Sequence, residues 1–485
     1  MGNLSQAVSH TEQALFLAQA LKADELTFQQ KHQLGQLYQQ LGRQADAIKT
    51  YEAAIVNLDH IRKEILYNSS DLLFSFRSKI EPIYRELMAL YLTENLAKAA
   101  QPDPTTLKKI ININRQLQQV ELENFLKCGL DVGEQKLILE DAVTKSAGTI
   151  IYLIKLEGIQ KLLTIVNNPQ QPLQAHITAW DEIEPSISAI YDYLTASSMR
   201  SEYFDRQRFR QARTHLYNAL IAPIKADLPR STNLIFVIDT DLQGIPIALL
   251  QDEHDRYLIE DYPITYVPGS YIRPLRPLNL KQQRTLLSGV VDGDAFIAED
   301  LPALTFVEPE IRDIQTLVKS TTVLLNQDFT ANTLKERVYQ APIAILHLAT
   351  HGRFSSNPAE TKIWTYDQPL SLNDLDRLLR ARTQTNPVDL ELLVLSACET
   401  AKGDRRSGLG LAGVAIRAGA RSTVASLWNV NDESTARFMT EFYRSLSRHK
   451  TRAESLRDAQ LALLHHPQYS NPYYWAAFIL VGSWT

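Results

Sequence analysis

Cysteine is nearly absent: Cys128 and Cys398 are the two in 485 residues. Two thiols can close one bridge at most, which excludes a disulfide framework and points to a reducing, cytoplasmic setting. No apolar run reaches the eighteen or more residues of a membrane-spanning helix, and the N-terminus lacks a signal-peptide core, so no membrane association is expected. The opening MGNLSQ misses the N-myristoylation pattern, because Gln6 stands where Ser or Thr is needed. An excess of one charge is also missing: 50 basic side chains face 55 acidic ones, a formal net charge of -5. That balance argues against direct nucleic-acid binding, which normally shows a basic stripe. There is no glycine-rich phosphate loop with its lysine, and no His/Cys cluster has zinc-ligand spacing. No cofactor is therefore expected, and a nucleotide-regulated signalling ATPase has no support.

What is present is ordinary globular material, 45% hydrophobic and 22% charged, long enough for two to four folding units. The first 60 residues are helical and self-similar. Ala7, Ala14 and Leu15 recur forty positions later as Ala47, Ala54 and Ile55. Leu34, Gly35, Tyr38, Ala47, Tyr51 and Ala54 follow the small and large positions of a tetratricopeptide unit. Gly35 and Ala47 would let two antiparallel helices approach, with the tyrosines filling the gaps beside them. Residues 1–26 read as the second helix of a repeat whose first is missing, so the chain is expected to be the C-terminal part of a longer protein. A helical connector continues over 61–145, broken at Gln101–Pro104. TIIYLIKLEG and KLLTIVNN then read as strands, helical segments follow to about 228, and LIFVID reads as a buried strand.

Beyond 284 the rhythm is α/β. Apolar strands TLLSGVV, TTVLLN, IAILHLAT, LELLVLSA, STVASLW and AAFILVG alternate with helices predicted at 308–319, 331–340, 372–382, 409–418, 432–447 and 451–464. Strands apolar on both faces and separated by helices imply a mainly parallel sheet covered on both sides. Chemistry in such sheets gathers at the carboxyl ends of the strands.

Two strands end in reactive residues there. IAILHLAT runs into His351 and Gly352, and LELLVLSA runs through Ser396 into Cys398. A thiolate at Cys398 could attack a carbonyl while His351 handles the proton of the leaving amine. The N–H groups of Gly352 and Cys398 could form an oxyanion hole. The glycine-bearing loop 399–408 suits a mobile segment facing substrate. The other candidates have plainer readings: Cys128 and His347 as core residues, and His465 and His466 at a helix end.

The blocks LHLATHGRF, LLVLSACETAKGD, GLAGVAIRAGARSTVASLWNVND and YYWAAFILVGSW resemble the CHAT peptidases, caspase- and separase-like enzymes commonly fused to tetratricopeptide repeats. The resemblance implies an α/β caspase-like fold, a mainly parallel sheet flanked by helices, joined to an all-α N-terminal region. It divides the chain into repeats at 1–60, the connector at 61–145, a degenerate protease-like half at 146–275 and an active peptidase half at 276–485. It places the catalytic histidine at His351 and the nucleophile at Cys398. Asp432, in a block resembling a substrate-binding segment of separases, is then a candidate contact for a basic P1 side chain, with Asp292, Asp294 and Ser396 beside it. Asn429 stands where separases carry an aspartate. An aspartate at position 432 can also serve as a helix cap. The expected function is a cysteine endopeptidase acting on a protein substrate, regulated by a partner or ligand bound through the helical region. The competing expectation is a catalytically silent repeat scaffold with a protease-like binding module.

Overall fold

The computed structural model describes residues 2–68, 76–126, 137–146, 148–195, 206–230, 232–239, 242, 244–269, 271–355, 357–375, 377–378, 388–400 and 419–485, with backbone alone at 397–400. Cys128, the helix expected at 409–418 and all but the first two residues of the loop 399–408 lie outside the described residues. Two units are distinguished: residues 1–132, 152–165 and 172–180 form the first, and residues 133–151, 166–171 and 181–485 the second.

The first unit is led by helices α1 (Gly2–Ala20), α2 (Asp24–Gln40), α3 (Gln44–Asn68), α4 (Glu81–Leu96) and α5 (Pro104–Leu126). The small residues act as the sequence pattern requires. Ala47, Tyr51 and Ala54 are fully buried on α3. A Cβ at Gly35 would come within 2.8 Å of the Tyr51 ring, so the close approach of α2 and α3 depends on glycine. The Tyr51 hydroxyl donates to Glu86 Oε2 at 2.5 Å and lies 2.9 Å from the Gln39 side-chain amide, which gives this buried aromatic a polar exit. On α4, buried Arg85 and Glu81 pair at 2.6 Å. Strands β1 (Gly148–Leu156), β2 (Lys161–Asn167) and β3 (Gln174–Ala179) follow, neighbours in that order, with the start of β1 and the end of β2 counted in the second unit.

The second unit opens with α6 (Trp180–Thr195) and α7 (Arg206–Leu220) and is built on one mixed sheet. Its strands are β4 (Asn233–Ile238), β5 (Ile264–Tyr266), β6 (Arg284–Gly289), β7 (Ser320–Leu325), β8 (Ile343–Phe354), β9 (Lys362–Trp364), β10 (Pro369–Ser371), β11 (Leu392–Thr400), β12 (Ser422–Ser426) and β13 (Phe478–Gly482). The order is β10-β9-β8-β11-β12-β13-β5-β4, with β6 beside the first half of β8 and β7 beyond β6. Parallel pairing joins β7, β6, β8, β11 and β12, and also β13, β5 and β4. The antiparallel pairs are β12 with β13, β8 with β9, and β9 with β10.

Helices α8 (Asp294–Ala298), α9 (Val307–Leu317), α10 (Ala331–Gln340), α11 (Asp432–Ser447) and α12 (Arg452–Leu464) connect and cover the strands. The termini of α11 and α12 are specified locally. Asn431 accepts from Ser434 N–H at the start of α11, and Thr451 and Glu454 make a reciprocal capping box at the start of α12. Phe438, Met439, Phe442, Tyr443 and Leu446 are buried from α11, the helical spacing of an inward face. Among the described residues no helix is long and apolar enough to cross a membrane.

Candidate active site

β8 is apolar and buried from Ile343 to Ala349, flanked by β6 and β11, which is why it runs through the middle of the unit. Its register with β11 breaks between Leu348 and His351, and pairing resumes with His351 opposite Ala397 and Gly352 opposite Cys398. The two strands are parallel and run on to Phe354 and Thr400, past the ends expected before His351 and Cys398, so the backbones of these two residues lie side by side near one carboxyl edge and not beyond it. Ser396 is buried within β11, one residue before this edge.

His351 is half-buried and held from two sides. Its Nε2 lies 2.8 Å from the main-chain oxygen of Pro302. A carbonyl can only accept, so Nε2 carries the hydrogen and Nδ1 is the basic nitrogen of the neutral ring. The buried ring of Phe296, on α8, meets the imidazole edge-on with centroids 4.7 Å apart. Neither contact was foreseen from sequence. Four residues earlier, His347 is fully buried between α9 and α11. Its Nε2 lies 2.8 Å from Glu310 Oε1 and its Nδ1 3.3 Å from the Tyr443 hydroxyl. Burial, with the nearby Glu310 charge, pushes the Tyr443 phenol well up, so it stays a neutral donor.

The acidic candidates divide into two groups. Asp292 and Asp294 are exposed on the turn that follows β6, at the same sheet edge as His351. Asp292 Oδ1 accepts from Gly293 N–H at 2.9 Å, and Asp294 opens α8, the helix that carries Phe296. A side chain at Gly293 would strike Tyr366, with a Cβ 2.9 Å from both its ring and its carbonyl oxygen, so this turn packs tightly on the β9–β10 hairpin. Asp432 is different. The helix cap expected of it belongs to Asn431, because an Asn one residue earlier has the extended geometry that a cap requires. As the first helical residue, Asp432 accepts from Phe306 N–H at 2.7 Å and from the Thr305 hydroxyl. Burial pushes its carboxyl up and Glu310 adds to this, while the two hydrogen bonds pull the other way. His465 stands at the C-terminal cap position of α12, where its main-chain N–H bonds the carbonyl of Leu461.

The opposite edge of the sheet carries a second polar cluster. Arg421 and Arg452 are almost wholly buried and both reach Glu391, at 3.1 Å each. Arg421 also pairs with Asp389 at 2.5 Å, and the two guanidiniums reach the main-chain oxygens of Pro274 and Arg276. These bonds fasten the segment leading into β6 to the amino ends of β11 and β12.

A mixed sheet flanked by helices, with His351 and Cys398 on neighbouring parallel strands near one carboxyl edge, has the fold of a caspase-like, protease-like module. The chain belongs to the CHAT domain family, whose pattern it matches over residues 210–483. It is 26% identical over 334 residues to tetratricopeptide repeat protein 28 of Mus musculus and 25% identical over 331 residues to that of Homo sapiens. Each match covers 55% of this chain, and the chain spans 13% of the length of those relatives. Among solved structures it is similar to separase in the Saccharomyces cerevisiae separase–securin complex. The TM-score is 0.55 at 10% identity, over 90% of this chain and 38% of that one. At that identity the likeness shows the fold.

Proposed function

We propose that the chain is a cysteine endopeptidase in which Cys398 is the nucleophile and His351 the acid–base partner. The observation that carries this reading is the parallel register that pairs Gly352 with Cys398 and His351 with Ala397 at one strand edge. In the reaction the Cys398 thiolate attacks the scissile carbonyl, and the main-chain N–H groups of Gly352 and Cys398 receive the developing oxyanion. His351, with Nε2–H held by Pro302, takes the Cys398 thiol proton on Nδ1 as the thiolate forms and delivers that proton to the leaving amine. It then takes a proton from the water that hydrolyses the thioester. Asp292 and Asp294 supply the negative potential at the site edge, which favours a basic P1 residue over an acidic one. The partner is a protein substrate, and a regulatory protein or ligand acts through the helical region. The repeat-protein relatives and the securin-bound separase support protein partners.

An electrophilic peptide probe with a basic P1 residue should label the wild-type chain at Cys398. Labelling should be absent in Cys398→Ala and strongly reduced in His351→Ala. Labelling elsewhere in the chain, or cleavage retained by Cys398→Ala, removes the assignment and leaves the silent scaffold.

A further inference from the structure

We propose that Asp432 is a positioning residue for His351, acting through the loop 299–306 rather than by touching substrate. The loop carries the Pro302 carbonyl that receives His351 Nε2–H. Main-chain hydrogen bonds hold it along its length: Glu299, Asp300 and Leu301 N–H turn back on α8, with Leu301 to Phe296 at 2.9 Å, Leu304 N–H reaches Val291 at 2.8 Å, and Val307 and Glu310 N–H bond Leu304 and Phe306 at 3.3 and 3.0 Å where the loop enters α9. A side chain adds a further fastening at the end that enters α9. Asp432 takes the N–H of Phe306, four residues from Pro302, and the hydroxyl of Thr305. Phe306 precedes the first turn of α9 and its own side chain makes no capping bond. A carboxylate at that point also meets the positive end of the α9 dipole, as it does at the start of its own helix α11. Asp432 follows β12, whereas His351 lies within β8, three residues before its end at Phe354. The carboxylate therefore ties the loop that orients the histidine to the segment leaving β12, two strands away from β8. Half-buried and already accepting from Phe306 N–H and the Thr305 hydroxyl, it is poorly placed to be the principal ligand of a substrate guanidinium. Basic specificity is left to exposed Asp292 and Asp294.

Positioning and substrate binding make opposite demands on one conservative change. Asp432→Asn keeps an acceptor for Phe306 N–H and a polar partner for Thr305, but removes the charge. On the proposal its kcat and its P1 profile stay close to wild type. Asp432→Ala, which has no acceptor, loses about 10- to 100-fold in kcat with KM and P1 profile little changed, the penalty of a misaligned catalytic group. A loss of basic P1 preference in Asp432→Asn, or full kcat in Asp432→Ala, overturns the proposal. The kinetic arm rests on the peptidase reading, so a second readout is independent of turnover. In 15N-histidine spectra, with His351 identified by its loss in His351→Gln, the ring should be the Nε2–H tautomer in wild type and Asp432→Asn and a tautomer mixture in Asp432→Ala. An unchanged ring in Asp432→Ala defeats the positioning role whether or not the protein cleaves peptides. A wild type without activity but with this tautomer shift defeats only the peptidase reading. Should Asp432→Ala fail to fold, Asp432→Glu, with one methylene too many for the 2.7 Å bond, carries the same tests.

Discussion

Glu391→Gln is the sharpest test of what holds the sheet together. Glu391 shares its two oxygens between Arg421 and Arg452, whose side chains are 1% and 0% exposed. Its main-chain oxygen also accepts from the Ser422 hydroxyl at 2.9 Å. Burial pushes the Arg452 guanidinium down from the ordinary arginine value, and the Glu391 charge is the main effect opposing that shift. Glutamine preserves shape and one acceptor, but turns an NH2 donor toward a guanidinium that can only donate. Breaking a buried ion pair from one side costs about 3–5 kcal/mol. Here Asp389 still holds Arg421 and the Arg276 carbonyl still holds Arg452, so the lower end applies, about 3 kcal/mol. At about 1.4 °C per kcal/mol for a unit of about 330 residues, Tm should fall by about 4 °C. The assay is thermal unfolding followed by far-UV circular dichroism, with urea unfolding as a check that the slope is unchanged. Below the new Tm, probe labelling at the far edge of the sheet should be unaffected. A fall of less than about 2 °C would show that the Arg cluster tolerates an uncompensated charge and would refute the reasoning.

Gly35→Ala should destabilise the first unit by about 1–3 kcal/mol in urea unfolding, because overpacking against the pinned Tyr51 ring outweighs alanine's helix preference of about 1 kcal/mol. Thr451→Ala removes one side of the α12 capping box and should cost about 1 kcal/mol by the same measurement. Asp389 is held below its usual pKa: burial works against this, but Arg421, Arg273 and Arg276 prevail. Its stabilisation is therefore present above the ordinary carboxylate range and lost as pH falls through the lowered value, so the Tm gap between wild type and Asp389→Asn should close on acidification. Asp432 has the opposite sign. Its raised pKa means the charged form costs stability as pH rises through that value, so Asp432→Asn should match or exceed the wild-type Tm at neutral pH and lose that advantage in acid.

The strand–helix alternation was readable because burial on both faces leaves long apolar runs, and IAILHLAT, STVASLW and AAFILVG all fall in the sheet where that pattern predicts. The close packing at Gly35 was readable for a related reason: only a missing side chain admits the Tyr51 ring, and that absence is visible in the letters. His351 and Cys398 stood out because each terminates an apolar run, where a reactive side chain has no packing role. What orients His351 was not readable. Its acceptor is a main-chain oxygen, which every residue possesses, so nothing about the letter at position 302 announces it. Asp432 shows the same limit from the other side. Asn431 and Asp432 are both capping types at a helix start, and their order along the chain does not say which one turns back to its own helix. Backbone geometry decides that: extended Asn431 takes Ser434 N–H, which leaves Asp432 directed away from α11 and able to reach Phe306 across 126 residues of sequence. A carboxylate that sequence reasoning assigns to substrate is thereby engaged within the fold.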